Sequence, residues 1–160
     1  MKSLINNIVS VVTGSDASIF AAKYAIVLAK TYHCKLTVVY VLDTATIRQL
    51  ALSKIFTQEE AAEYEKSLEN NGNRYLAFVD ELAHAKGVKV EKIMRRGAIY
   101  TEVLHVADEK KADIILLGGW EKETKTRDII GHSYREIMAN AKCSVMLVKE
   151  PKIDQIYKHT

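Results

Sequence analysis

Proline and cysteine are scarce in this chain. There is one proline, Pro151, and there are two cysteines, Cys34 and Cys143, in 160 residues. No proline-rich linker divides the sequence, and no repeat or low-complexity tract is visible. The two cysteines form no CxxC and no Cys/His ligand spacing, so a disulfide framework and a thiolate zinc site are both excluded. Reduced, buried thiols in a cytosolic chain are the expectation. Long apolar runs are missing too: none approaches the ~20 residues that span a bilayer. The first residues, Met1-Lys2-Ser3-Leu4, lack the apolar stretch and cleavage site of a signal peptide. Charge of one sign is also lacking. Lysine and arginine number 23 against 20 acidic residues, a net +3 spread along the chain. That balance argues against nucleic acid or a membrane surface as partner.

What is present is ordinary globular composition, 48% hydrophobic and 27% charged, in a length that suits one domain. Residues 1–150 read as that domain and 151–160 as a C-terminal tail, mobile or loosely packed through Ile153, Ile156 and Tyr157. Five short apolar runs stand out, at residues 4–13, 35–42, 88–94, 113–118 and 144–148. Ile8-Val9-Ser10-Val11-Val12, Val38-Val39-Tyr40-Val41 and Ile114-Ile115-Leu116-Leu117 hardly alternate with polar residues. Strands apolar on both faces belong in a parallel sheet covered on both sides.

The segments between them read as helices. The first covers about residues 15–32, with Ser15 or Asp16 as cap and Asp16, Lys23 and Lys30 on one wet stripe. The second opens on a capping box, Thr57-Gln58-Glu59-Glu60, and runs to about residue 86, with Asn70-Asn71-Gly72 as its weak point. The third carries Tyr100, Val103, Leu104 and Ala107 on one side. The fourth follows Gly131, with Tyr134, Ile137, Met138 and Ala141 at helical spacing.

Alternating strands and helices imply an open, doubly wound α/β sheet with right-handed crossovers and helices on both faces. The third run carries Lys89, Glu91 and Lys92, charges that suit an edge. The fifth run, Ser144 with Val145, Met146, Leu147 and Val148, is short and uncharged. As the other edge it needs a partner, and a second copy of the chain is the natural one. Both points give five parallel strands in the order 3-2-1-4-5.

In such a sheet ligands bind where the strand order reverses, outside the carboxyl ends of the strands. That gap lies between the first and fourth strands, at Thr13-Gly14-Ser15-Asp16 and Gly118-Gly119-Trp120-Glu121, with Val41 and Leu42 nearby. A polar stretch with Lys122, Lys125 and Arg127 leads to Gly131-His132-Ser133, where the helix start is expected. A glycine, free amides and a helix N-terminus make an anion site; tight turns alone are the alternative.

Sharper chemistry finds little support. Gly131-His132-Ser133-Tyr134-Arg135 lacks the last glycine of a hydrolase elbow and follows a loop. There is no Walker A sequence and no GxGxxG. His33 reads as a turn residue. His84, His105 and His159 read as solvated, and no pair of histidines has the spacing of a helical metal site. Arg95-Arg96 reads as a solvated pair. Trp120 either stacks on a ligand base or packs at the cleft or a dimer contact.

Several segments together resemble the universal stress protein family. Val11-Val12-Thr13-Gly14-Ser15, followed by an alanine-rich helix, resembles its opening. Gly97, Glu102-Val103-Leu104 and Ala112-Asp113-Ile114-Ile115-Leu116-Leu117-Gly118 resemble its middle. Gly131-His132-Ser133 and Ala141-Lys142-Cys143-Ser144-Val145-Met146-Leu147-Val148 resemble its end. The likeness covers about residues 4–149. It implies an adenine nucleotide alpha hydrolase-like fold, a homodimer through the last strand, a cytoplasmic stress-response role and, in one branch, ATP binding with Mg²⁺. That branch carries Gly, two residues, Gly, nine residues, Gly, then Ser or Thr. Gly118 and Gly131 match the outer glycines. Glu121 stands at the middle glycine, His132 at the Ser/Thr with Ser133 one place late, and Thr13 where the first strand ends in Asp. Glu121 sets a carboxylate where phosphate would approach, while Lys122, Lys125, Arg127 and His132 supply positive charge.

The resemblance therefore implies a binding or regulatory module with a degraded ATP motif. Thr13, Gly14, Ser15 and Val41 would border base and ribose. Gly118, Gly131, His132 and Ser133 would face phosphate. Two alternatives remain: slow ATP hydrolysis or phosphotransfer, with Glu121 or Asp16 as base, and a nucleotide-free interaction scaffold.

Overall fold

The computed structural model describes residues 3–119 and 127–160, with the backbone alone for 127–130. Trp120, Glu121, Lys122, Lys125 and the side chain of Arg127 lie outside the described residues. Five strands, β1 (Asn7–Val12), β2 (Lys35–Asp43), β3 (Val90–Gly97), β4 (Ile114–Gly118) and β5 (Ser144–Val148), form one sheet in the order β3-β2-β1-β4-β5. Every pairing is parallel. The expected order and edges are thus found.

Successive strand side chains point to opposite faces, and each face has its own core. Ile8, Val12, Val38, Tyr40, Leu42 and Leu116 face one way. Two helices cover them: α1 (Asp16–Tyr32), through Ala21, Ala22, Ala25, Ile26 and Ala29, and α3 (Gln58–His84), through Leu76, Val79 and Ala83. Val9, Val11, Val39, Val41, Ile115 and Leu117 face the other way, under α4 (Ile99–Glu109) and α5 (Arg127–Asn140). Alanines on α1 let that helix lie close against the central strand. His33, in the left-handed conformation with φ 56°, ends α1 and turns the chain into β2.

Several boundaries differ from the sequence reading. A short helix, α2 (Thr44–Leu52), precedes the second expected helix. Asp43 caps it, accepting from the Thr46 amide at 3.0 Å and the Thr46 hydroxyl at 2.7 Å. The capping box opens α3 as expected, but the helix runs unbroken through Asn70-Asn71-Gly72. Gly72 is buried there, and a methyl at its position would press on the Tyr40 ring and lie 2.9 Å from Met94 Cε.

The tail, expected without an element of its own, is helical. It forms α6 (Ile153–Lys158), which buries Ile153 and packs on α1. Tyr157 donates to the Leu82 carbonyl at 2.6 Å, and Lys23 pairs with Asp154 at 2.6 Å. Lys23 therefore leaves the wet stripe. Arg95 pairs with Glu109, and Arg96 with Glu65 and Glu69 at 2.6 and 2.9 Å, so this pair is bound to neighbouring helices rather than only solvated.

Candidate functional site

The turn from β1 into α1 is held by three hydroxyls. Gly14 has φ 86°, the left-handed region that side chains avoid. Ser15 is the cap of α1, and its Oγ accepts from the Ser18 amide at 3.1 Å. Ser18 Oγ donates to the Ser15 carbonyl at 2.8 Å and accepts from the Thr13 amide at 3.1 Å. Thr13 Oγ1 and Ser15 Oγ lie 3.0 Å apart. The Thr13 hydroxyl is thus turned into the helix cap.

Gly118 closes on the same point. A methyl there would lie 2.6 Å from the Ala17 carbonyl carbon and 2.7 Å from the Ser18 amide nitrogen. At Gly119 it would lie 2.9 Å from the Val148 carbonyl oxygen. These close approaches alone require glycine. The carboxyl ends of β1 and β4 therefore meet through backbone, around the first turn of α1. Thr13, Gly14, Ser15 and Gly118 form one group.

Gly131, His132 and Ser133 form another. Gly131 and Ser133 are buried, and His132 is exposed. The His132 ring meets the Tyr100 ring edge-on, with centroids 6.0 Å apart and planes at 88°. Tyr100 lies in the first turn of α4, so this contact belongs to the carboxyl end of the sheet. The expected helix start is corrected here. α5 begins at Arg127, and unpaired amides belong to a helix's first turn. Those of Gly131, His132 and Ser133 fall inside the ladder, so they make no open anion site. Val41 points into the core beneath α4, with 8% of its surface exposed.

Sequence reading missed two residues at this end. One is Asp43, whose signal was available: an Asp directly before a helical pattern is a cap signature. The other is Tyr75, on α3. Gly72, Tyr75, Leu76 and Val79 share helical spacing, which marks a face but not its partner. Tyr75 abuts Gly14, where an added methyl would lie 2.5 Å from Tyr75 Cε2.

An open cavity of about 1130 Å³ lies at the opposite end of the sheet. It is lined by Lys30, Lys35, Lys86, Lys89, Lys110 and Lys111 among others. Two of its lysines reach carbonyls at the C-terminal end of α6, where positive charge is favoured. Lys30 donates to the Thr160 carbonyl at 2.9 Å, Lys86 to that of Lys158 at 3.3 Å, and Lys110 pairs with Glu91 at 2.6 Å. Cys34 also lines it, donating to the Ile5 carbonyl at 3.2 Å. Burial, and then Asp113, push the Cys34 thiol above its ordinary value, which disfavours the thiolate a nucleophile needs. Burial raises Cys143 likewise. Among the described residues no cluster of His, Cys, Asp or Glu is suited to a metal ion.

A five-stranded parallel sheet reversing at β1 and β4, with a glycine turn and a capped helix at that point, defines a class of α/β protein with a crevice at the carboxyl ends of its strands. The model of the universal stress protein family matches residues 5–149, and the chain belongs to that family. Universal stress protein MJ0531 of Methanocaldococcus jannaschii is 32% identical over 94% of this chain and 86% of its own length. Two solved structures share the fold. The universal stress family protein of Burkholderia pseudomallei has a TM-score of 0.72 at 18% identity, covering 94% of this chain and all of its own. A universal stress family protein of Arabidopsis thaliana, with AMP bound, has a TM-score of 0.65 at 15% identity, covering 93% and 94%.

Proposed function

We propose that this chain binds an adenine nucleotide in the crevice at the carboxyl ends of β1 and β4. It acts through occupancy, as a regulatory module in a cytoplasmic stress response, rather than by turnover. The observation that carries this reading is the close approach of Gly118 to the Ala17 and Ser18 backbone, beside the left-handed Gly14 turn, at the point where the strand order reverses. In open parallel sheets ligands bind at this reversal point, outside the carboxyl ends of the strands. AMP is bound in the Arabidopsis neighbour, and other universal stress proteins of this fold have been solved with cAMP and dAMP.

The departures at Thr13, Glu121 and His132 bear on which nucleotide fits. Thr13 is engaged in the helix cap, and Glu121 stands in the sequence where the ATP-binding branch carries the middle glycine of its motif. The first takes away a polar contact for the ribose; the second favours a nucleotide with fewer phosphates over ATP with Mg²⁺, since like charges repel. Mass spectrometry of protein purified without added ligand, followed by calorimetry with AMP, cAMP, and ATP with and without Mg²⁺, tests the reading. A retained adenine nucleotide, or binding with AMP at least as tight as ATP, is expected. No heat with any of them at millimolar concentration would remove it.

A second feature favours a homodimer. Among the described residues β5 pairs only with β4, and Val145, Met146 and Leu147 are half-buried on that edge. An uncharged edge strand is a template for pairing. Leu147→Asp should halve the sedimentation mass while circular dichroism stays native. An unchanged mass would count against pairing through β5.

A further inference from the structure

Tyr75 stands beside the crevice. Besides the approach of its Cε2 to Gly14, its hydroxyl oxygen lies 2.9 Å from where a Gly14 methyl would be. The hydroxyl-bearing edge of the ring therefore rests against the turn between β1 and α1. The ring also tilts against Tyr40, with centroids 6.2 Å apart and planes at 47°. Tyr40 is 5% exposed and sits over Gly72. Two glycines, Gly14 and Gly72, thus admit two tyrosines, and the pair ties α3 to the carboxyl end of β1.

Packing accounts for the ring but not for the hydroxyl. Tyr75 is half-buried, and among the described residues its Oη makes no hydrogen bond. The other hydroxyls of the turn are engaged: Thr13 with Ser15, Ser15 with the Ser18 amide, Ser18 with the Ser15 carbonyl. A nucleoside seated beside Gly14 thus meets one unengaged hydroxyl, on a ring held in place by Tyr40.

We propose that Tyr75 is a nucleoside-contacting residue of the crevice, its hydroxyl hydrogen-bonding the ribose or base and its ring walling that side of the site. The proposal rests on the reading of the crevice as an adenine-nucleotide site. It moves the polar contact on the nucleoside from the end of β1, where Thr13 is engaged, to α3.

The test is calorimetric titration of AMP into the full-length chain, as wild type, Tyr75→Phe and Tyr75→Ala, with melting temperatures alongside. Tyr75→Phe keeps the ring and should melt like the wild type, yet bind roughly three- to tenfold more weakly, the loss of one neutral hydrogen bond. Tyr75→Ala should lose about tenfold or more, since the ring's contact goes too. AMP should also slow nitration of Tyr75 by tetranitromethane, read by peptide mass spectrometry. If wild type binds AMP and both variants bind as well or more tightly, the role of Tyr75 is overturned and the crevice reading stands. If wild type binds no adenine nucleotide, the crevice reading falls and this inference falls with it.

Discussion

Gly72 lies in the interior of a 27-residue helix, where alanine is ordinarily better by about 1 kcal/mol. Packing reverses that sign. The added methyl would press on Tyr40, a buried ring that cannot swing into solvent. Overpacking of this kind costs about 1–3 kcal/mol, more than the helix gains. Gly72→Ala should therefore lower the urea midpoint, and Tyr40→Val on the same background should recover part of the loss. A raised midpoint for Gly72→Ala alone would contradict the account. Local propensity reads Asn70-Asn71-Gly72 as a weak point because Tyr40 comes from a distant strand and leaves no mark in that stretch.

Buried phenols and thiols set an alkaline limit at the same scale. Burial, then Tyr75 and Tyr64, raise Tyr40 above its ordinary 10.0, and burial raises Tyr157 despite Lys23. Cys34 and Cys143 rise above 9.0. A raised acid holds its proton more tightly folded than unfolded, so stability falls wherever the unfolded chain has already released it. The contribution is full below the unfolded values and is lost as pH climbs through the thiol and then the phenol range. Urea midpoints from about pH 8 to about pH 11 should fall, and Tyr40→Phe should flatten the upper part. A level midpoint across that range would contradict the burial of these groups.

Among the elements, the strands were the most legible. β5 matches its sequence range, and β4 differs by one residue, because both-face burial writes continuous apolar runs into the chain. The cap of α1 at Ser15 and the box at Thr57 were legible for a local reason: cap and first turn are adjacent in sequence. α6 was not. Its six residues are too short a stretch to show a helical period, and it packs on α1 beneath it. Ile153 is 2% exposed in that contact. Ile153→Ala should cost about 2–5 kcal/mol, as core truncations do, and should show in thermal melting. A tail that merely trailed would lose nothing measurable. The start of α5 was misplaced because Gly131 reads as a helix entry, although the helix already has a turn before it.

At the scale of the whole molecule, strand order followed from edge chemistry: charged Lys89, Glu91 and Lys92 at one rim, an uncharged strand at the other. Order fixed the reversal point, and the reversal point brought Thr13, Gly14, Ser15 and Gly118 together. The sequence could name those four because topology alone gathers them. It could not show that Thr13 is engaged in a cap, or that Tyr75 arrives from α3, since both depend on side-chain packing. The molecule thus has two distinct ends, a glycine turn against a capped helix at the carboxyl end and a lysine-rich cavity at the amino end. The lysines of the second would draw an anionic ligand by charge, whereas the proposed nucleotide site lies at the first. Titrating AMP into ¹⁵N-labelled protein and following amide shifts separates them. The account predicts shifts at Gly14, Ser15, Gly118 and Tyr75, with Cys34, Lys35 and Gly87 unmoved. Shifts confined to Cys34, Lys35 and Gly87, or none at millimolar AMP, would contradict it.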